Sequence, residues 1–445
     1  MLIVGGNQSA AGYDIDNSLR FERASSDYLS RTQVAGNRKT FTISLWVKRS
    51  QISANFHNIF SLQNNGFGIQ FTNTDYIAFA IGTVSDAYVY TNRLFRDTNA
   101  WYHLVFVVDT TQATASNRMK MYVNGVQETS FSTTVYPALN VDTNVNNSGI
   151  PNQVGADTVY TSYSSRYMAE VCLIDGSALD PTSFGEFDED TGIWKPIDIS
   201  DLTFGNNGFY LDFENSGSLG ADVSGNGNNF TVNNLTSVDQ STDTPTNNFC
   251  TGNPLSAGST VTFSDGNCTL TNGGTWNSAM ATIMPDAGKW FWENKVVSLG
   301  TVNVSIVKAT QDGTTHSSVD AGRIAYSSNG NLYDDGGDPI ASYTTFTTND
   351  IIGVALDLDS GTQTVKFYKN GSLIVTYNLS SSYPGYTGGW SPGWGMNSCT
   401  VSANFGSPPY TISSGNSDAN GYGNFEYAVP SGYYALSTKN LAEYG

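Results

Sequence analysis

The sequence predicts an all-β chain built as two β-sandwich domains, and three observations predict it. First, a strand–turn–strand signature occurs once in each half. Trp101-Tyr-His-Leu-Val-Phe-Val-Val-Asp109 is followed by Met119-Lys-Met-Tyr-Val-Asn-Gly-Val126. Ile351-Ile-Gly-Val-Ala-Leu-Asp-Leu-Asp-Ser-Gly361 is followed by Thr364-Val-Lys-Phe-Tyr-Lys-Asn-Gly-Ser372. Asn and Gly tolerate positive φ, so Asn124-Gly125 and Asn370-Gly371 are suited to the tight turn that returns a strand antiparallel. Recurrence at a spacing of about 250 residues points to two sandwiches of related design. Second, charged residues make up only 13% of the 445, against abundant Gly, Asn, Ser, Thr and Tyr, a composition that suits short strands and polar turns. Third, no window of helical length shows a 3.6-residue apolar period.

The elements follow in order. Residues 1–13 read as a polar leader. Strands are expected at Ser18-Leu-Arg-Phe-Glu22 and Tyr28-Leu-Ser-Arg31. Period-two alternation marks Phe41-Thr-Ile-Ser-Leu-Trp-Val-Lys48, Gly66-Phe-Gly-Ile-Gln-Phe71 and Tyr76-Ile-Ala-Phe-Ala-Ile81. The hairpin around Asn124 comes next, then a polar loop over 138–165 and the strand Arg166-Tyr-Met-Ala-Glu-Val-Cys-Leu-Ile-Asp175. Residues 14–235 form the first domain. The nearly apolar-free stretch 236–248 reads as a linker. The second domain spans 249–412, with strands at Lys289-Trp-Phe-Trp-Glu-Asn-Lys-Val-Val297, Val302–Val307, Arg323–Tyr326 and Thr400–Phe405. Residues 413–445 form a tail expected to dock on a domain or a neighbouring subunit.

Charge excludes some functions. The formal net charge of −19 repels a phosphate backbone and an anionic lipid surface alike, so neither nucleic acid nor membrane is an expected partner. No apolar run approaches the ~18 residues of a membrane span. The N-terminus has no positive n-region, so no secretory signal is read there. Cys172 and Cys399 fall in apolar strands and read as small core residues. Cys250 and Cys268 have no metal-type spacing but are close enough in sequence to pair.

Taken as an ordered set, Ser18-Leu-Arg-Phe21 with Asp27-Tyr28-Leu29, Phe41–Lys48, Trp101-Tyr-His103 with Asp109, and Tyr122-Val-Asn-Gly125 resemble the laminin-G-like, concanavalin A-like jelly rolls. In many such domains a segment like Asp222-Val-Ser-Gly-Asn-Gly-Asn-Asn-Phe-Thr231 precedes the Leu-Arg-Phe strand. Here it follows the last strand, so a circular permutation is expected in which 209–235 return to the sheet that starts at residue 18. Gly288-Lys-Trp-Phe-Trp-Glu293, Ile352–Asp359 with Phe367-Tyr-Lys-Asn-Gly371, and Asn404-Phe-Gly406 resemble a SPRY domain, a bent β-sandwich that binds through loops. The two modules together, with Asp222–Phe249 between them and Pro430-Ser-Gly-Tyr-Tyr-Ala-Leu436 near the end, are similar to virion structural proteins of tailed bacteriophages. That resemblance implies a non-enzymatic virion protein, a tail fibre or surface adhesin. Its implied partners are other virion proteins and host envelope glycans, and its implied state is a homo-oligomer, trimeric if it is a fibre. The alternatives are a polysaccharide-degrading enzyme on the same scaffold and an architectural decoration or fibre component.

Candidate site residues are few. Sugar rings stack their C–H faces on flat aromatics, so Tyr383, Tyr386, Trp390 and Trp394, separated by Gly and Pro, are the candidate carbohydrate-binding set. A strand begins at Trp390, so the two tryptophans either present their faces outward or fill the core. Trp290 and Trp292 alternate on one strand face and read as core. Glu186, Asp188 and Asp190 alternate as glycosidase carboxylates do, but Gly185 and Gly192 flank them as a turn would. Laminin-G-like domains bind Ca²⁺, which the resemblance implies as a ligand. Asp14 with Asp16, and Asp334 with Asp335 and Asp338, are the candidate acidic groups, though no full ligand set follows from spacing. Of His57, His103 and His316, His103 occupies a strand position and reads as structural. No serine-hydrolase, zinc or phosphate-loop motif occurs.

Overall fold

A computed structural model describes residues 12–52, 55–63, 66–82, 87–311, 322–334 and 338–445. Most of the leader, His316 and Asp335 lie outside the described residues. The chain divides into two compact units, with the break between Thr246 and Asn247.

The first unit is a sandwich of two antiparallel sheets. One runs in the order Val126–Gln127, Met119–Val123, Trp101–Asp109, Thr40–Arg49, Arg166–Asp175, Ser18–Phe21, Gln240–Ser241. The other runs Phe131–Val135, Ala87–Thr91, Ile77–Ile81, Gly68–Phe71, His57–Leu62, Pro151–Val154, Tyr28–Thr32, Thr231–Asn233. Alternate residues such as Phe41, Ile43, Leu45, Leu104, Phe106, Phe79 and Val89 meet between the sheets in one core.

The segment expected to return by permutation divides between the sheets. Phe209–Leu211 pairs with Arg166–Asp175 in the sheet of Ser18–Phe21. Thr231–Asn233 pairs with Tyr28–Thr32 in the other. The expected linker is not one over most of its length. Gln240 and Ser241 pair with Leu19 and Ser18, and Asp243, Thr244 and Thr246 are buried. The reason is a lysine elsewhere. Lys48 points out of the core from a central strand, and its ammonium meets Asp243 at 2.7 Å with both side chains 1% exposed. Polarity of residues 236–248 signalled a solvated linker, but a polar segment also folds when a buried charge needs it.

In the second unit one sheet runs Gly252–Ala257, Asn277–Ala281, Trp390–Asn397, Thr301–Lys308, Arg323–Ser327, Asn331–Asp334, Pro339–Ser342. Its partner runs Val261–Ser264, Thr269–Asn272, Cys399–Asn404, Lys289–Ser298, Ile351–Asp357, Thr364–Lys369, Ser372–Asn378. The tail belongs to this unit. Tyr434–Ala435 adds in parallel beside Trp290 and Phe291, and Phe425 packs edge-on against Phe291 with ring centroids 5.3 Å apart. A short helix, Thr438–Tyr444, ends the chain.

The two hairpins share one turn geometry. Asn124 and Asn370 both have φ 48°, followed by Gly125 and Gly371 at φ 78°. Each Asn side chain accepts a backbone N–H from the preceding strand, His103 in one case and Ile351 in the other, both at 2.8 Å. A Cβ on Gly125 would strike the Trp194 ring and one on Gly371 the Tyr427 ring, so glycine is required there by space as well as by φ. All four cysteines are buried free thiols, so Cys250 and Cys268 are not paired.

Candidate ligand-binding face

The two sheets of the first unit differ in their outer faces. On the sheet of Thr40–Arg49, the outward residues Val105, Val107, Cys172 and Ile174 are covered by Phe184, Ile199, Phe204 and Tyr210. Beside them Trp46 and Ala169 are covered by Ile15 and Trp194. That face is closed by chain on both sides of the strands in sequence, Ile15 before them and residues 184–210 after them. On the other sheet, Ala87–Thr91 and Gly68–Phe71 alternate buried with partly exposed residues, the pattern of a sheet with one wet face.

Three tyrosines gather on this open face. Tyr88 and Tyr90 are two residues apart on one strand and so share a side, with ring centroids 5.2 Å apart and nearly parallel. Tyr76 leads into the adjacent strand and lies 5.6 Å from Tyr90. All three are half-buried. Toward the inner strands their cross-strand neighbours are small, with Ala80 opposing Tyr88, Ala78 opposing Tyr90 and Gly68 opposing Ala80 in turn, while Val135 and Thr133 of the edge strand flank Tyr88 and Tyr90 on the other side. Gln70 opposes Ala78 and Asn58 opposes Gln70, so amides continue the same row. Short side chains beside standing rings make a shallow aromatic-walled surface with the partly exposed Gln70 amide along it and Asn58 buried beneath. Burial, with Tyr76 and Tyr88 close by, raises the Tyr90 hydroxyl above its ordinary pKa, which keeps it a neutral phenol able to donate and accept.

The aromatic set expected from the sequence is elsewhere and differently used. Trp390 and Trp394 are each 1% exposed and Tyr383 is buried. Trp390–Asn397 is an interior strand paired on both sides, so its alternate residues Trp390, Trp394 and Met396 have only the core to face. The structure does bring Tyr383, Tyr386 and Trp390 together, both tyrosines edge-on to Trp390 at 5.4 and 5.3 Å. Lys308 Nζ caps the two tyrosine rings at 4.9 and 4.5 Å, and the Tyr383 hydroxyl donates to the Arg323 carbonyl. Trp394 stands apart and donates its indole N–H to Asn294 Oδ1 at 2.7 Å. Tyr383, Trp390 and Trp394 are core packing with no ring face left for a sugar, and Tyr386 is a half-buried rim residue with Lys308 over its ring. Trp290 and Trp292 are core as read.

The acidic row is a short hairpin, with Glu186 on the strand Gly185–Phe187 opposite Lys195 and Asp190 in the turn. Lys195 Nζ lies 3.3 Å from Glu186 and 3.2 Å from Asp188. The Thr191 backbone N–H and hydroxyl, then Lys195, hold the Asp188 carboxyl down to about 2. A carboxylate held ionised by such donors is the reverse of the raised acid a glycosidase needs. Asp14 and Asp16 are exposed, and Asp334 accepts the hydroxyls of Tyr377 and Ser382. Among the described residues no group of three or more His, Cys, Asp or Glu side chains is placed to hold a metal ion.

One buried titratable cluster was not visible in the sequence. Ser44, Trp46, His103, Glu170, Phe184 and Ile199 line a cavity of about 10 Å³ beneath the covered face, room for a single water. Glu170 sits at a bulge opposite Trp46 and Ser44 with φ 52°, and accepts the hydroxyls of Tyr210 and Tyr13. Burial pushes its carboxyl up to about 8. The alternation of Arg166–Asp175 hid the bulge, because only the doubled register reveals that Glu170 leaves the row.

The comparisons with known proteins follow the same division. The family described as the concanavalin A-like lectin/glucanases superfamily matches residues 23–175, and the SPRY domain family matches 289–408. Among solved structures, the SPRY domain of human HERC1 is 19% identical over 34% of this chain and 96% of its own, with a TM-score of 0.29. A human SPRY domain is 18% identical over 32% of this chain and 94% of its own, TM-score 0.27. The heptameric SAP-like pentraxin of Limulus polyphemus is 18% identical over 38% of this chain and 80% of its own, TM-score 0.29. No curated protein compared with the chain matches it. The chain therefore carries a concanavalin A-like jelly roll followed by a SPRY domain.

Proposed function

We propose that this chain is a non-enzymatic glycan-binding attachment protein whose sugar-contacting surface is the open face of the first sandwich. One observation carries the reading: Tyr76, Tyr88 and Tyr90 stand together over Ala78, Ala80 and Gly68 on the uncovered sheet face. Stacked aromatic faces offer sugar C–H groups an apolar platform, and the partly exposed Gln70 supplies polar contacts that orient hydroxyls. A shallow site of this kind binds weakly, so useful avidity comes from several copies on one particle. That requirement suits a homo-oligomer displayed on a bacteriophage virion, the setting that the module order resembles.

The test is binding of the full chain to a glycan array and to host envelope polysaccharide, with Tyr88→Ala and Tyr90→Ala against Trp390→Phe. Loss of binding in both tyrosine variants at unchanged melting temperature is expected. Retained binding in those variants overturns the site. Release of reducing ends from the bound polysaccharide overturns the non-enzymatic reading.

A further inference from the structure

Where the strands Thr40–Arg49 and Arg166–Asp175 meet at one end of the first sandwich, two arginines lie side by side. Arg49 and Arg166 are direct cross-strand partners, which brings their Cβ atoms to about 5 Å. Both follow the inward parity of Val47 and Met168, and each is 1% exposed. Arg49 Nη1 donates to Asp75 Oδ1 at 3.0 Å and to the Phe95 carbonyl, with the guanidinium 4.5 Å above the Phe71 ring. Arg49 Nε and Nη2, and Arg166 Nη1 and Nη2, have no hydrogen-bond partner among the described residues. The other Asp75 oxygen is taken by Arg96, whose side chain is largely exposed.

The Asp75 carboxylate thus meets Arg49, while the charge acting on Arg166 is that of Arg49 beside it. A lysine in this position could shed its proton; an arginine does not. Burial, and then the charge of Arg49, hold Arg166 well below its ordinary pKa, the mark of like charges facing one another out of water. Each orphaned donor adds a desolvation cost that nothing nearby returns.

We propose that Arg49 and Arg166 together form a buried site for one small monovalent anion of the halide class. Charge decides the class. With Arg96 hydrated at the surface, the two buried guanidinium groups less the Asp75 carboxylate leave one uncompensated positive charge, which a single monovalent anion cancels and a divalent oxyanion exceeds. Shape agrees, because a halide accepts donors from any direction and two forks supply four nitrogens. The site is separate from the tyrosine face and does not rest on it.

Thermal unfolding of the full chain in sodium chloride and sodium bromide, against sodium gluconate at matched ionic strength, tests the proposal. A saturable rise in melting temperature specific to the halides is expected, and it disappears in Arg166→Met. That variant should melt in gluconate at or above the unmodified chain, because the like-charge pair is gone. Equal melting in all three salts, or a halide shift that survives Arg166→Met, overturns the site. Where Arg166→Met fails to fold, a bromide-soaked crystal of the unmodified chain decides. An anomalous peak within hydrogen-bond reach of both arginines supports the site, and its absence overturns it.

Discussion

Trp194 donates its indole N–H to His103 Nδ1 at 3.0 Å. That one bond assigns the histidine's tautomer. With Nδ1 accepting, the ring proton sits on Nε2, which donates to Ser44 Oγ at 2.9 Å. A serine nucleophile needs the reverse, a histidine nitrogen that takes the hydroxyl proton. Ser44 and His103 are therefore within reach of each other and held in the wrong polarity for hydrolysis. The relationship is also reached through the shared turn, since Asn124 accepts the His103 backbone N–H and Gly125 makes room for the Trp194 ring.

Burial lowers His103 to about 3. Its folded value lies below its ordinary 6.5, so the folded state binds fewer protons between these two values. The neutral ring's contribution is present above 6.5 and lost as pH falls toward 3. The full shift corresponds to about 5 kcal/mol, and a few kcal/mol is the expected loss. Urea titrations of the full chain below about pH 4.5, where Glu170 no longer opposes it, should show the first unit weakening toward acid. His103→Gln should flatten that slope. An unchanged acid slope in the variant would assign the effect to other groups.

Glu170 acts with the opposite sign. Its folded value, about 8, lies above its ordinary 4.5, so its contribution is complete below 4.5 and lost as pH rises through 8. Between 4.5 and 6.5 the two slopes oppose and cancel, because Glu170 gives up stability while His103 gains it. A stability plateau over that interval, falling on both sides, is the expected profile for the first unit. Glu170→Gln should remove the alkaline fall and keep the acid one. A profile that still falls between pH 6.5 and 8 in Glu170→Gln would show that the carboxyl is not its source.

Much of the architecture was legible because the signals that fix it are local. Period-two alternation placed Thr40–Arg49, apolar runs leading into alternating strands placed Trp101–Asp109 and Ile351–Asp357, and Asn-Gly placed both hairpin turns. What escaped depends on partners distant in sequence. Trp390 is buried because strands lie on both sides of it, and Gly and Pro around it carry no record of that. Asp243 belongs to the first sandwich because Lys48 is there to meet it. The tyrosine face had a local signal: Tyr88 and Tyr90 alternate about Val89, beside a strand whose matching positions are Ala78 and Ala80. Its exposure did not, since it depends on residues 177–210 covering the other sheet and not this one.

The Lys48–Asp243 pair makes a quantitative prediction about the segment read as a linker. Trp101 donates its indole N–H to the second oxygen of Asp243 at 3.1 Å, so the carboxylate is fully engaged. Removing one partner leaves a buried charge alone, at a cost of about 3–5 kcal/mol. Lys48→Met and Asp243→Leu should each lower first-unit stability by that order. The double variant should recover most of it, because no charge then remains to be solvated. A double variant as unstable as the sum of the two singles would mean that the ions act independently.

Glu293 fastens the tail to the second unit through its backbone. Glu293 Oε2 accepts from Glu426 N at 3.0 Å and Asn404 Nδ2 at 3.2 Å, while Oε1 accepts from Tyr427 N at 2.8 Å. Every contact is a donor, so the group must accept with both oxygens. Burial, opposed by these donors, pushes its carboxyl up to about 7. Glu293→Gln replaces one acceptor with an NH₂ that faces an N–H, which turns a hydrogen bond into a repulsion and orphans a buried donor. A cost of about 1–3 kcal/mol to docking of the tail is expected. Hydrogen exchange reads it locally. The amides of Glu426 and Tyr427, and the Cys250 amide that the Leu436 carbonyl accepts, should lose protection in Glu293→Gln. Those of the central strand Ile351–Asp357 should not. Uniform loss across the unit would show that Glu293 supports the sandwich itself, and unchanged protection at Glu426 and Tyr427 would remove it as the fastening.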